Sequence, residues 1–208
     1  MNSALYHITN INNLPSIINY KALFSYNKLN FFKIIYTNIA YEQIQSKRGN
    51  TKVPCYPCGN LHDYVPFHFA PRSPMLFTLN KGNVPGYDQG QKNLVYLIIT
   101  IQEILSFYRH RFVFTNGHPI NSSFACKFFN DIDKLCEVDW ETMESRYWTG
   151  DNRKFKRQAE FLVYEYVSLS HIRYIGVYDS QKKSEVELLL KYSDYNSIPV
   201  VVDNELYF

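Results

Sequence analysis

The chain has 208 residues, 46% of them hydrophobic and 20% charged, with a formal net charge of +3. That length and balance suit one globular domain, 1–208, with a sizeable core. The charge is too small to argue nucleic-acid binding by itself, and the longest apolar run, residues 94–101, is too short to span a bilayer. The N-terminus lacks the basic and apolar regions of a signal peptide, so a cytoplasmic, soluble protein is expected. Eighteen Tyr and 15 Phe supply flat area that serves half-buried strands and base stacking alike.

In chain order, residues 5–9 predict a first strand. Asn12-Asn13-Leu14-Pro15 opens a helix through residue 21, with proline tolerated in its first turn. Residues 23–37, aromatic and rich in asparagine, predict an irregular loop over the core. Helical spacing follows at 39–47, with Ile39 and Ile44 inward, and then a loop at 49–61 punctuated by Gly49, Pro54, Pro57 and Gly59. Residues 64–70 predict a strand, 73–79 a short helix, 94–100 a buried strand, 102–108 a helical turn or two and 111–115 a strand. Phe124, Phe128 and Ile132 fall on one helical face. Residues 140–147 predict a helix, followed by a mobile basic loop to 157. Strands at 159–166 and 172–177, a helix at 182–192 and a last strand near 198–201 complete the chain. Without a repeat or a βαβ rhythm, the class expected is α+β.

Phosphate-binding glycine motifs and a Gly-x-Ser-x-Gly elbow are absent. Cys55 and Cys58 have knuckle spacing with His62 nearby, but Cys126 and Cys136 lack the spacing of a second pair. A plain turn with two thiols is therefore expected, and no metal. Glu160 interrupts the apolar run Ala159-Glu160-Phe161-Leu162-Val163, and a buried acid needs a compensating partner. By residue type alone, such a Glu more often faces water at a strand edge, a lone His7 on an apolar strand is more often core, and Arg48 more often caps a helix. Arg146, Arg153, Lys154, Lys156 and Arg157, interleaved with Tyr147 and Trp148, read either as a solvated loop or as a track for single-stranded nucleic acid.

Several blocks together resemble the DarT family. They are Tyr6-His7-Ile8-Thr9 with Asn13-Leu14, Ile39-Ala40-Tyr41 with Lys47-Arg48 and Val53-Pro54, and Leu61-His62-Asp63-Tyr64-Val65-Pro66-Phe67. Pro71-Arg72-Ser73-Pro74-Met75-Leu76, Phe112-Val113-Phe114-Thr115 with His118, and Gln158-Ala159-Glu160-Phe161-Leu162-Val163 continue the match in order. The resemblance implies an ADP-ribosyltransferase fold, a split and mainly antiparallel sheet gripping NAD+ in a cleft. It implies a toxin that ADP-ribosylates a base of single-stranded DNA, thymidine in the branch this chain looks like, and a macrodomain antitoxin, DarG. A monomer is expected.

On that resemblance Glu160 and Arg48 are the catalytic residues. Glu160 holds the ribose as it gains positive charge, and is also a candidate to take the thymine ring proton. NAD+ falls to His7, Ile8, Thr9, Asn13, Leu14, Arg48, Phe67, His68, Phe69, Met75 and Leu76. DNA falls to His118, Tyr147, Trp148, Arg153, Lys154, Lys156 and Arg157. His68 stands where relatives usually have tyrosine; if it lines the cleft, NAD+ affinity is expected to change between about pH 6 and pH 8. The competing readings are ADP-ribosylation of guanosine, RNA or protein, and a catalytically idle nucleic-acid-binding module.

Overall fold

The computed structural model describes residues 4–120 and 124–208. Among them are ten strands: β1 (Ala4–Asn10), β2 (Ala22–Phe24), β3 (Tyr64–His68), β4 (Leu94–Thr100), β5 (Phe112–Thr115), β6 (Phe128–Phe129), β7 (Glu160–Tyr164), β8 (Tyr166–Ser168), β9 (Tyr174–Val177) and β10 (Val200–Val202). The helices are α1 (Leu14–Tyr20), α2 (Tyr26–Phe31), α3 (Glu42–Asn50), α4 (Pro74–Asn80), α5 (Ile101–Phe107), α6 (Trp140–Glu144), α7 (Asp151–Arg157) and α8 (Ser180–Leu190). Eight strands form one sheet in the order β10-β9-β4-β1-β3-β7-β5-β6, and β2 pairs with β8 as a separate ribbon. This is the α+β class expected.

The sheet is split at its centre. β1 pairs with β4 along its whole length, and β3 pairs likewise with β7, yet β1 and β3 share the single pair Tyr6↔His68. Past that pair the two strands splay, and the cleft opens between Ile8–Thr9 on one side and Pro66 and Tyr64 on the other.

Period-two alternation decides which residues reach the cleft. Val65, Phe67, Phe161 and Val163 enter the main core with Leu5, Val95, Leu97 and Ile99, under α5 and α8. The residues between them face the other way: Tyr96 and Ile98 pack with Leu76, Leu79 and Tyr207 of a second cluster, Tyr64 and Leu162 with Val53 and Leu61 of a third. His68 and Glu160, directly paired across β3 and β7, share that second face. Phe67, Phe114 and Phe161 are fully buried, each contributing about 1.5–3 kcal/mol. Phe161→Ala, which would also leave a cavity behind Glu160, costs about 3–5 kcal/mol.

Local signals set the helix ends. Ser25 and Ser73 accept hydrogen bonds from the Lys28 and Leu76 amides, and Thr100 and Glu103 form a reciprocal capping box. Several elements differ from those expected. Residues 23–37 contain β2 and α2, held to the body by Lys28–Glu165 (2.9 Å) and by Asn27 donating to Asp63 (2.7 Å). Helix α3 starts three residues late, because Ile39 is buried ahead of it. The helical face of Phe124, Phe128 and Ile132 is not formed: Phe128–Phe129 extend to pair with β5, which otherwise ends the sheet, and Ile132 begins a 3₁₀ turn. The basic loop before residue 157 is helix α7, with Asp151 in its first turn and Lys154, Lys156 and Arg157 in its last, matching the helix dipole. One βαβ unit, β9-α8-β10, closes an edge in parallel.

Candidate active site

Glu160 begins β7, and Arg48 sits in the last turn of α3. Arg48 Nη1 donates to Glu160 Oε1 at 2.8 Å, with the side chains only 11% and 8% exposed. Burial alone would raise the Glu160 pKa, but the Arg48 charge and hydrogen bond overcome it and hold the carboxyl below its usual range. Glu160 is therefore ionised at neutral pH. Its backbone amide donates to Thr115 Oγ1 (2.9 Å), whose hydroxyl donates to the Gly117 carbonyl (2.9 Å). Glycine is required at 117, since a Cβ there would lie 2.2 Å from the Phe155 ring. The His118 amide donates to the Phe155 carbonyl at 3.0 Å. The end of β5, the turn after it and α7 are thus locked together around the acid.

Above the pair lies a cavity of about 380 Å³, a size that takes a small ligand. Its walls come from β1, α1, the segment around α2, α3, β3 and α4, with His118, Lys154 and Gln158 at the Glu160 side. Asn13 braces one wall. Its amide donates to Thr9 Oγ1 (2.9 Å) and the Thr37 carbonyl (3.1 Å), and its carbonyl accepts from the Thr37 amide (2.7 Å).

His7, His68 and His118 line the cavity, and hydrogen bonds define the tautomers of His7 and His118. His7 Nδ1 lies 2.9 Å from the Pro66 carbonyl, which can only accept, so Nδ1 carries the proton and Nε2 is an acceptor. His118 Nδ1 accepts from the Ile120 amide (3.3 Å), which leaves Nε2–H as a donor. Burial lowers the pKa of both, and pushes His68 down to about 4, partly offset by Glu160. His68 is hence neutral throughout pH 6–8. The affinity change expected there from its titration is corrected by its desolvation. Arg48 Nη2, Glu160 Oε2 and His68 Nδ1 are buried at the cavity floor without a hydrogen-bond partner among the described residues. Such groups cost stability unless a ligand or water satisfies them. The set offers a carboxylate acceptor and a guanidinium donor side by side, which fits a ribose hydroxyl and an anionic or carbonyl neighbour.

The structure brings His7, Ile8, Thr9, Asn13, Arg48, His68, Met75, His118, Lys154 and Glu160 to this cavity. Four expected NAD+ contacts are corrected. Phe67 and Phe69 alternate away from His68 into the main core, Leu14 packs there from the start of α1, and Leu76 lies in the second cluster while its neighbour Met75 faces the cavity.

The basic segment is corrected more strongly. Arg157 is buried and donates to the carbonyls of Thr142 (2.8 Å), Met143 (2.6 Å), Ser145 (3.0 Å) and Pro71 (2.6 Å), so it clamps loops and does not reach a phosphate. Burial lowers its pKa to about 10, still charged at neutrality. Arg153 pairs with Glu141 at 2.9 Å and Lys156 with Asp139 at 2.6 Å. Trp148 packs edge-on against Phe77 and Phe208, while Tyr147 is exposed away from the cavity lining. Sequence reading also missed Gln45, His62, Tyr26 and Tyr36 in the far wall. Gln45 lies three residues before Arg48 on one helix face, a spacing that could have found it. Its side chain meets His62 Nε2 at 3.1 Å, and His62 packs on Tyr26 with ring centroids 4.0 Å apart.

Comparison with known proteins agrees over the whole fold. A DNA ADP-ribosyl transferase of Thermus sp. (strain 2.9) is 38% identical over 192 residues, 90% of this chain and 87% of that one. The solved structure of Thermus sp. 2.9 DarT in complex with ADP-ribosylated ssDNA superposes with a TM-score of 0.90 at 34% identity, covering 99% of this chain and 96% of that one. Its complex with NAD+ gives 0.83 at 32%, covering 99% and 98%. A Thermosipho africanus DNA ADP-ribosyl transferase-DNA ADP-ribosyl glycohydrolase fusion protein is 26% identical over 98% of this chain and 49% of its own length. Residues 6–208 match the family model described as ssDNA thymidine ADP-ribosyltransferase, DarT, and the chain belongs to that family.

Proposed function

We propose that this chain transfers ADP-ribose from NAD+ to a thymidine in single-stranded DNA, releasing nicotinamide. The observation that carries this reading is the buried Arg48–Glu160 pair, whose second polar atoms have no partner among the described residues at the floor of a ligand-sized cavity. It is supported by the family's solved complexes with NAD+ and with the ADP-ribosylated product.

NAD+ enters as substrate. The bond between the nicotinamide nitrogen and the ribose carbon breaks with its electron pair going to nicotinamide, and the ribose gains positive charge. Glu160, kept ionised by Arg48, accepts a ribose hydroxyl at Oε2 and stabilises that charge. A thymine ring nitrogen bonds to the same carbon and gives its ring proton to Glu160 or to solvent water. Pairing with Arg48 makes Glu160 a weak proton acceptor, so charge stabilisation is its principal role; accepting the thymine proton requires Arg48 to turn toward a substrate oxygen. His7, Thr9, Asn13, His68 and Met75 form the NAD+ wall, with His118 and Lys154 toward the DNA. A single strand is the substrate because a duplex base must first be unstacked, at a few kcal/mol.

The whole of 1–208 acts as one transferase domain and, in this reading, as a cytoplasmic monomer. Among the described residues no helix is long and apolar enough to cross a membrane. Modified template bases block replication, which makes the chain a toxin. Its partner is a macrodomain glycohydrolase, DarG, a pairing supported by the Thermosipho fusion.

Incubation with NAD+ and four oligonucleotides, each lacking one base, tests the reading by mass spectrometry. Only the thymine-free strand is expected to stay unmodified. Protection of the guanine-free strand instead would move the target to guanosine, and no modification of any strand would overturn the reading.

A further inference from the structure

The cleft has two sides. His7, Thr9, Asn13 and Met75 line one of them, from β1, the turn into α1, and α4. Gln45, His62, Tyr26 and Tyr64 line the other, from α3, the turn into β3, α2 and β3 itself. Glu160 is joined to this second side twice, through its strand pairing with His68 and through Arg48 of α3. Gln45 precedes Arg48 by three residues, so the two side chains share one face of the helix with Cβ atoms about 5–6 Å apart.

His62 holds the Gln45 amide in one orientation. Its Nε2 lies 3.1 Å from Gln45 Oε1, an oxygen that only accepts, so Nε2 carries the proton. The imidazole is itself fixed. The His62 backbone amide donates to Asn60 Oδ1 (2.8 Å), Tyr26 covers the ring with centroids 4.0 Å apart, and a Cβ at Gly49 would lie 3.1 Å from it. Gln45 Nε2 keeps two N–H donors and has no hydrogen-bond partner among the described residues. An oriented amide donor in the cavity lining, one helical turn from the residue that holds the reacting acid, is suited to reading a carbonyl oxygen.

We infer that Gln45 is a specificity-determining residue: its amide donates to a carbonyl oxygen beside the ring nitrogen of the target thymine, and His62 keeps that donor turned toward the base. Thymine carries its ring N–H between two carbonyls, whereas in cytosine an amino group, itself a donor, replaces one of them. The inference rests on the transferase reading above and deepens it. The nicotinamide amide of NAD+ also bears a carbonyl, but Gln45 stands on the side of the cleft facing the NAD+ wall.

The test compares wild type with Gln45→Met, which keeps side-chain length and helix propensity but removes the donor. The substrate is one oligonucleotide whose target base is thymine, 2-thiothymine or 4-thiothymine. Sulfur is a weak acceptor, and its effect on the acidity of the ring N–H is common to both enzymes. On thymine, Gln45→Met should lower kcat/KM for DNA roughly 2- to 10-fold, the worth of one neutral hydrogen bond, and leave KM for NAD+ unchanged. One thio position should cost wild type more than it costs Gln45→Met, by that same factor; the other should cost both equally. His62→Phe, which keeps a ring on Tyr26 and frees the amide, should reproduce part of the Gln45→Met effect and add nothing to it in the double variant. Equal penalties for both enzymes at both thio positions, or a rise in KM for NAD+, would overturn the inference. If wild type modifies no strand at all, the transferase reading falls; if it does and Gln45→Met matches it, the assignment of Gln45 falls alone.

Discussion

At the floor of the cleft, Glu160 and Arg48 each satisfy one side and leave another open; in the wall formed by α6 and α7, most charges are already satisfied. Glu160 and Arg48 hold each other through one atom apiece, and Oε2 and Nη2 have no partner among the described residues. Arg153 and Lys156 are paired with acids on or next to α6, and Arg157 donates through Nη1 and Nη2 to four backbone carbonyls, its buried Nε having no partner among the described residues. The floor is therefore organised for a ligand, whereas the wall is organised to hold the floor. Charge content alone does not separate the two, since the wall carries more cations. What separates them is whether the open polar atoms belong to residues that line the cavity, as Arg48 and Glu160 do and Arg157 does not.

The largest effect that would test this contrast is at the floor. Arg48→Ala strands the buried Glu160 carboxylate, so it should both abolish transfer and destabilise the fold by about 3–5 kcal/mol. Thermal unfolding alongside a product assay checks it, and wild-type stability would show that the pair is not buried in solution. In the wall, Arg157→Ala removes a charged donor from several carbonyls at once, each such bond being worth about 1.5–3 kcal/mol. It should lower the melting temperature clearly while leaving the salt dependence of DNA binding unchanged. A change in salt slope with unaltered stability would return Arg157 to the DNA surface.

Lys154→Ala should do the reverse: stability within about 0.5 kcal/mol of wild type, and a several-fold higher KM for DNA. Equal DNA binding by this variant would make the whole wall structural. Acidification gives a further, graded effect. His68 has its folded pKa lowered to about 4 from 6.5, so between those values the unfolded chain binds more protons and stability falls as pH falls. His7 and His118, also lowered, and Glu160, whose lowered pKa adds a loss at still lower pH, act in the same direction. His68→Asn should flatten the decline between about pH 6.5 and pH 4, and KM for NAD+ should be flat between pH 6 and pH 8 in wild type. A midpoint near 6.5 in that KM would show that His68 is solvated.

Much of the floor was legible because strands declare their faces. The alternation that buries Phe161 and Val163 leaves Glu160 and Leu162 on the opposite face, and the motif blocks mark His7, Arg48 and His68. The same alternation, applied strictly, would have removed Phe67 from the NAD+ contacts. The wall was illegible for a different reason. Glu141 and Asp139, which neutralise Arg153 and Lys156, lie across a turn whose path depends on Gly150 and on the Arg157 clamp, neither of which has a local signature. The α2 segment was missed because its anchors, Asp63 and Glu165, are distant in sequence.

The central claim, that an ionised and half-satisfied Glu160 stabilises the ribose during transfer, is tested most directly by Glu160→Gln. Glutamine keeps the shape and an acceptor for Arg48 but not the charge. The account predicts a folded protein that still binds NAD+, with transfer to a thymidine oligonucleotide reduced on the order of 10²–10³-fold or more. Transfer at the wild-type rate by that variant would contradict it.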